Sequence, residues 1–320
     1  MQRYGMSLPF DLPLHAHEEV LRELEDLGYT DFWSSESNGT DGFTPLALAS
    51  TWTNARLGIA IIPAYTRGPG LLAMHAASME EAAPGRFVLG IGSSSNIIVQ
   101  NWNAMEFDRP WYRVRDTVRF LRAALRGEKV DQEYDTFTVR GFRLARVPEN
   151  PPPILVAALR QGMLRLAGRE ADGAILNWLS PEDVRTVTPY VHEGGDDKEI
   201  VARIFCIPVS DRETALNIGR RAIAGYLNVP VYAKFHEWLG RGEMLEGMWS
   251  KWRDGDRKGA LEAIPEELVD DLLCIGPPER CRERVMRYVE NGVHTPALAL
   301  LHPGDDGDLR ATLRALAPES

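Results

Sequence analysis

Residues 57–62, Leu-Gly-Ile-Ala-Ile-Ile, form an apolar run rich in β-branched side chains and without polar alternation. A strand of that kind is buried on both faces, and such strands belong to parallel sheets covered by helices. Pro63 stops the run, and Thr66-Arg67-Gly68-Pro69 reads as a turn opening a helix with proline near its first turn. Leu71, Leu72, Met74, His75 and Met79 then recur at roughly helical spacing, and Pro84-Gly85 ends the segment. Residues 87–91 are a second buried strand, which runs directly into Gly92-Ser93-Ser94-Ser95. The unit is strand–helix–strand, with a mouth of small residues where a flat or phosphorylated ligand can approach main-chain N–H groups closely.

The same alternation runs through the chain. Further strands are predicted at 3–8, 31–34, 154–157, 174–176, 199–209 and 297–301, which brings the total to eight. Helices are predicted between them: in 14–27, for example, Leu14, Val20, Leu21, Leu24 and Leu27 share one face and Gly28 ends it. Residues 96–111 show no period and read as a long loop over the mouth. Residues 129–144 read as a strand excursion. The stretch at about 228–271, with Trp238, Trp249 and Trp252, reads as a helical insertion packed beside the mouth. There is no internal repeat and no Ser/Gly linker, so residues 1–320 read as one domain. Eight strands with intervening helices predict an α/β fold, a (β/α)8 TIM barrel with insertions, for which roughly 250 residues suffice. A doubly wound open sheet is the alternative.

Several classes of protein are disfavoured. Three widely spaced cysteines without a Cys-x-x-Cys pair fit a reducing compartment and give no zinc site. His15 and His17 lie two apart, no metal-binding histidine spacing occurs, and His75 sits in a helical apolar pattern, as a packed histidine does. A net charge of −10 argues against nucleic acid as the main partner. No signal segment opens the chain and no apolar run approaches about 18 residues. A cytoplasmic protein without a membrane partner is expected. No Gly-x-Ser-x-Gly elbow is present, and Gly90-Ile-Gly92 lacks the third glycine of a dinucleotide fingerprint.

Leu57-Gly58, the turn Thr66 to Pro69 and Gly85-Arg-Phe-Val-Leu-Gly-Ile-Gly92 resemble the third strand, third helix and fourth strand of the luciferase-like monooxygenase superfamily. The likeness is to its actinobacterial deazaflavin-using oxidoreductases, and it extends from Tyr4 to His302. It implies a barrel, a homodimer, and hydride transfer between the C5 of coenzyme F420 and a small organic substrate. An FMN-dependent monooxygenase and a non-catalytic cofactor-binding paralogue are the alternatives.

The candidate site lies at the strand ends. After the second strand, Ser35-Glu36-Ser37 is on its residues alone a solvated loop. The resemblance places Glu36 against the deazaflavin ring, with Ser37 where relatives have histidine. In the third strand the resemblance implies a cis peptide between Ala60 and Ile61 behind the ring; the plainer reading is an ordinary buried strand. After the fourth strand, the resemblance puts Gly92, Ser93 and Ser94 on the cofactor side. Ser95, where relatives carry an acidic donor, faces substrate; the plainer reading is a tight turn. The proton would thus fall to Glu36 or to a water chain, or the substrate would need little acid–base help. At the fifth strand's end the resemblance implies that Ala158, Leu159 and Arg160 cradle the cofactor phosphate at a helix N-terminus; the plainer reading is a surface arginine that caps nothing. Asn177 and Trp178 end the sixth strand, the tryptophan as an exposed aromatic that stacks on cofactor or substrate or covers the rim.

Overall fold

The computed structural model describes residues 2–8, 10–302 and 307–318. Eight parallel strands form a closed ring: β1 (Gly5–Ser7), β2 (Asp31–Ser34), β3 (Arg56–Ile59), β4 (Phe87–Gly92), β5 (Ile154–Ala157), β6 (Gly173–Asn177), β7 (Glu199–Ile207) and β8 (Thr295–Leu300). Each pairs with its neighbour in sequence, and β8 returns to β1 through Gly5↔Ala297 and Met6↔Leu298. An open doubly wound sheet would leave two unpaired edges here, so the ring excludes that alternative. The predicted third strand is interrupted: β3 ends at Ile59, the Ala60–Ile61 peptide is cis, and Ile62–Pro63 then pairs with β4. A further short strand, Cys274–Ile275, pairs with β7 and was too short to be legible.

The outer helices are α1 (His17–Asp26), α2 (Thr44–Trp52), α3 (Pro69–Ala82), α4 (Pro110–Leu125), α5 (Gln161–Glu170), α6 (Pro181–His192) and α7 (Arg212–Leu227). The predicted loop at 96–111 is in part helical: residues Ile97–Trp102 form a π-helical run and α4 begins at Pro110. In that run only Val99 is buried, so no amphipathic period was available to read. Residues 129–144 contain an antiparallel hairpin, Val130–Glu133 with Thr138–Phe142. The insertion folds as four helices, α8 (Pro230–Trp238), α9 (Gly242–Arg253), α10 (Arg257–Glu262) and α11 (Glu266–Leu272). Leu245, Met248, Trp249 and Leu268 pack there against Phe205, Ile207 and Trp178 at the ends of β7 and β6. Then α12 (Pro278–Glu290) leads to β8, and α13 (Leu309–Ala315) closes the described chain.

Inside the ring, Trp33, Val88, Leu155, Ile175, Val201 and Ala297 form a sealed plug, with Ala60 and Ile61 resting on it partly exposed. The plug needs glycine opposite it: a Cβ on Gly58 would lie 2.2 Å from Trp33 Cζ3. The amino-terminal end of the ring carries charge instead. Arg56 donates to both Glu199 oxygens at 2.7 and 2.6 Å, and Thr295 Oγ1 donates to Glu199 at 2.8 Å. Asp31 lies 3.5 Å from Arg56 and 3.3 Å from Arg3. The base is closed, so a ligand reaches the interior only from the carboxyl ends of the strands.

Candidate functional site

Within the ring of the strands' carboxyl ends, called the basin below, the half-buried Ala60–Ile61 pair forms a floor above the Trp33 plug. Two hydrogen bonds across the break hold that floor. Ala60 N donates to Ser34 O at 2.7 Å, and Glu36 N donates to Ile61 O at 3.3 Å. On the β4 side the floor meets bare backbone. A Cβ on Gly92 would stand 3.0 Å from both Ile61 Cδ1 and Ala157 Cβ, and one on Gly90 would strike Ile59 O at 1.9 Å. A half-buried apolar platform walled by Gly92 and Ala157 suits a flat ring laid against the floor.

Every non-glycine residue with positive φ among the described residues lies on this face. Ser94 (φ 61°), Ala104 (52°) and Arg109 (43°) follow β4, and Trp178 (55°) follows β6. Such geometry costs about 1–3 kcal/mol per residue, is kept where the surroundings over-determine it, and clusters around ligand sites. Ser93, Ser94 and Ser95 are half-buried. Ser95 is spent locally, its carbonyl accepting from Val99 N at 2.9 Å at the start of the π-helical run.

Glu36 is not a free carboxylate. Arg67 grips it with both nitrogens, Nη1 to Oε1 at 2.5 Å and Nη2 to Oε2 at 2.7 Å. Gly42 N donates to Oε2 at 3.1 Å and Thr66 Oγ1 to Oε1 at 3.4 Å. Both side chains are only 15% exposed, and Arg67 also lies over the Phe43 ring at 5.3 Å. The pair ties the loop after β2 to the turn before α3. His75 stacks on Phe43 at 4.6 Å, and burial together with the Arg67 charge holds its pKa below the usual value. Ser37 is exposed, its hydroxyl directed at Asn38 Oδ1 at 3.4 Å. The structure thus brings Glu36 beside the floor and leaves Ser37 outside it.

Across the basin, Ala158 is buried and Leu159 half-buried, and Arg160 stands exposed at the N-cap of α5 with no side chain capping that end. Space beyond Gly162 is open, and Trp111 Nε1 donates to Gly162 O at 3.0 Å. Trp178 corrects the sequence reading. It is 1% exposed, not exposed at the rim, because its ring is held between Phe205 (4.4 Å) and Tyr226 (4.8 Å). Asn177 does face the basin, and its Nδ2 donates to Tyr232 Oη at 3.1 Å.

Three residues of this face escaped the sequence reading. Arg67 was visible within its turn motif, but nothing in the sequence tied it to a carboxylate 31 positions away. Arg203 was visible as a lone cation in the buried run Ile200-Val-Ala-Arg-Ile-Phe205. Tyr232 reaches the basin from α8 of the insertion and left no signal.

A closed (β/α)8 barrel carries its site at the strands' carboxyl ends, and here that end presents small residues beside the interrupted third strand. The sequence pattern of the luciferase-like monooxygenase family matches residues 2–295, and the chain belongs to that family. It is 33% identical over 307 residues to an F420-dependent glucose-6-phosphate dehydrogenase of Rhodococcus erythropolis, covering 86% of this chain and 85% of that protein. It is 24% identical over 307 residues to a 5,10-methylenetetrahydromethanopterin reductase of Archaeoglobus fulgidus, covering 91% of both. Among solved structures, the coenzyme F420-dependent tetrahydromethanopterin reductase of Methanopyrus kandleri superposes with a TM-score of 0.80 at 20% identity, over 99% of this chain and 98% of that one.

Proposed function

We propose that the chain is a coenzyme F420-dependent oxidoreductase that moves hydride between the deazaflavin C5 and a small organic substrate. The observation that carries this reading is the Ala60–Ile61 floor, a half-buried apolar platform fixed by Ser34 and Glu36 backbone bonds and flanked by side-chain-free Gly90 and Gly92. The bound deazaflavin would supply the hydride; the protein's part is to position and to exclude water. Ala60 and Ile61 would support one ring face and Gly92 to Ser94 would border it. Ala158 to Arg160, with the uncapped start of α5, would meet the phosphate-bearing tail. Glu36, gripped by Arg67, would set the edge of the ring's seat through its loop.

The names of the relatives favour deazaflavin over FMN. Titrating the purified protein with each cofactor, followed by quenching of intrinsic fluorescence, tests that choice: saturable quenching by F420 with at least about tenfold weaker FMN binding is expected. Oxidation of reduced F420 by a panel of candidate acceptors then separates an enzyme from a carrier. Tight FMN binding with no response to F420 would replace this reading with a flavin one. The working form is taken as a cytoplasmic homodimer, and the exposed Trp102, Met105, Trp111 and Tyr112 support its being a dimer. Sedimentation at micromolar concentration checks it.

A further inference from the structure

The basin's wall on the side of β6 and β7 differs from the rest. Along β7 the inward positions are Glu199 at the base, Val201 in the plug and then Arg203, which pairs in register with Asn177 of β6 and Ala297 of β8. The two charged residues of this strand have opposite circumstances. Glu199 at the closed end is matched by Arg56. Arg203 is half-buried and has no ion pair or hydrogen bond among the described residues; its one contact of note is the Phe205 ring, 5.0 Å from the guanidinium carbon. A half-buried guanidinium without an anion forfeits hydration and here regains only the ring contact.

Beside it, Asn177 spends its Nδ2 on Tyr232 and leaves Oδ1 buried with no partner. Buried polar atoms are normally satisfied, and this acceptor, in register with Arg203, has no donor among the described residues. Tyr232 holds its proton: burial pushes its pKa up to about 12, with Arg203 acting weakly the other way. The wall therefore offers one fixed cation, one free acceptor and one neutral phenol. The opposite wall offers glycine, alanine and serine.

We propose that the substrate of this site bears an oxyanion group, carboxylate or phosphate, which Arg203 binds, and carries next to it a hydroxyl or N–H that donates to Asn177 Oδ1. The assignment rests on the oxidoreductase reading for the word substrate, but the anion site stands on its own geometry. It makes Arg203 a specificity determinant: the guanidinium's planar fork matches either oxyanion bidentately.

The test is calorimetric titration of the ligand-free protein, at fixed ionic strength, with inorganic phosphate and separately with benzoate. Saturable binding of at least one is expected, weakened about tenfold or more in Arg203→Met and partly retained in Arg203→Lys. Which of the two probes binds decides between a phosphate and a carboxylate. Arg160→Met serves as the control for the exposed helix end. Binding that survives Arg203→Met but is lost in Arg160→Met would place the anion at α5 and overturn the proposal, as would failure of both probes to bind. Arg203→Gln replaces the Met variant if that one does not fold. An F420 titration of the same proteins keeps the two readings apart: Arg203-dependent anion binding without F420 binding sinks the cofactor reading alone. F420 binding that collapses in Arg203→Met while anion binding persists sinks this one.

Discussion

The Glu36–Arg67 pair ties the loop after β2 to the turn before α3, beside the Ala60–Ile61 floor. Its two parallel hydrogen bonds are charge-assisted, and the side chains are mostly withdrawn from water, so the pair is worth more than a surface ion pair. Glu36→Gln removes the charge but keeps the shape. The expected result is a loss of about 2 kcal/mol in stability and at least about tenfold weaker F420 binding, read by urea unfolding and by fluorescence titration. Unchanged binding would dissociate Glu36 from the site. At the same scale, His236 is fully buried, and burial and then the nearby Arg241 charge lower its pKa to about 3, below an unfolded value near 6.5. Its neutral form is favoured by folding. The stability it contributes is therefore complete above pH 6.5 and is lost as pH falls through 6.5 toward 3. Between pH 6.5 and 5 the unfolding free energy read by urea should drop, by up to about 1.4 kcal/mol per pH unit from this residue. His17 and His75, also lowered, act in the same direction. In His236→Gln the slope should flatten by its share; an unaltered slope would mean that the histidine is protonated in the fold.

At the scale of elements, the ring strands that lack alternation were legible because both their faces are buried, as in Leu57, Ile59, Val88 and Leu89. The split of the third strand was not legible in those residues. A cis bond leaves no mark on composition, and only the resemblance pointed to Ala60–Ile61. The Trp178 error has a similar root. A tryptophan after a short strand carries no statement of which way the chain turns, and here a positive φ directs it into the core shared with Phe205 and the insertion. The run at 96–111 lacked a period because a π-helical turn that buries one residue has none to show. Glycine at 90 is a stronger constraint than its place in a weak Gly-x-Gly suggested. A Cβ there would meet the Ile59 carbonyl oxygen, which is backbone and cannot rotate away. Gly90→Ala should cost about 1–3 kcal/mol or abolish folding, measured by thermal unfolding. Gly162→Ala, with open space around it, should be close to neutral in the same assay.

For the whole molecule, the two ends of the barrel divide the work. The amino-terminal end is sealed by charge: burial works to raise the Glu199 pKa, but the Arg56 hydrogen bonds and charge outweigh it and hold the carboxyl below its ordinary value. Its contribution to stability is present above about pH 4.5 and is lost as pH falls through the lowered folded value. Glu199→Gln leaves Arg56 with Asp31 alone, at 3.5 Å, and should destabilise by about 3 kcal/mol in urea unfolding while leaving the basin's geometry intact. The carboxyl-terminal end instead keeps strained turns, bare backbone and an unmatched cation around a basin.

The central claim is that a deazaflavin ring rests on the Ala60–Ile61 floor, and the most direct measurement is F420 affinity in Ile61→Asp beside the unaltered protein. A carboxylate in that position would face the ring with an uncompensated charge on an apolar platform. Saturable binding to the unaltered protein, weakened by at least about tenfold in a folded Ile61→Asp variant, is the predicted result. Equal affinity in the two proteins would contradict the account.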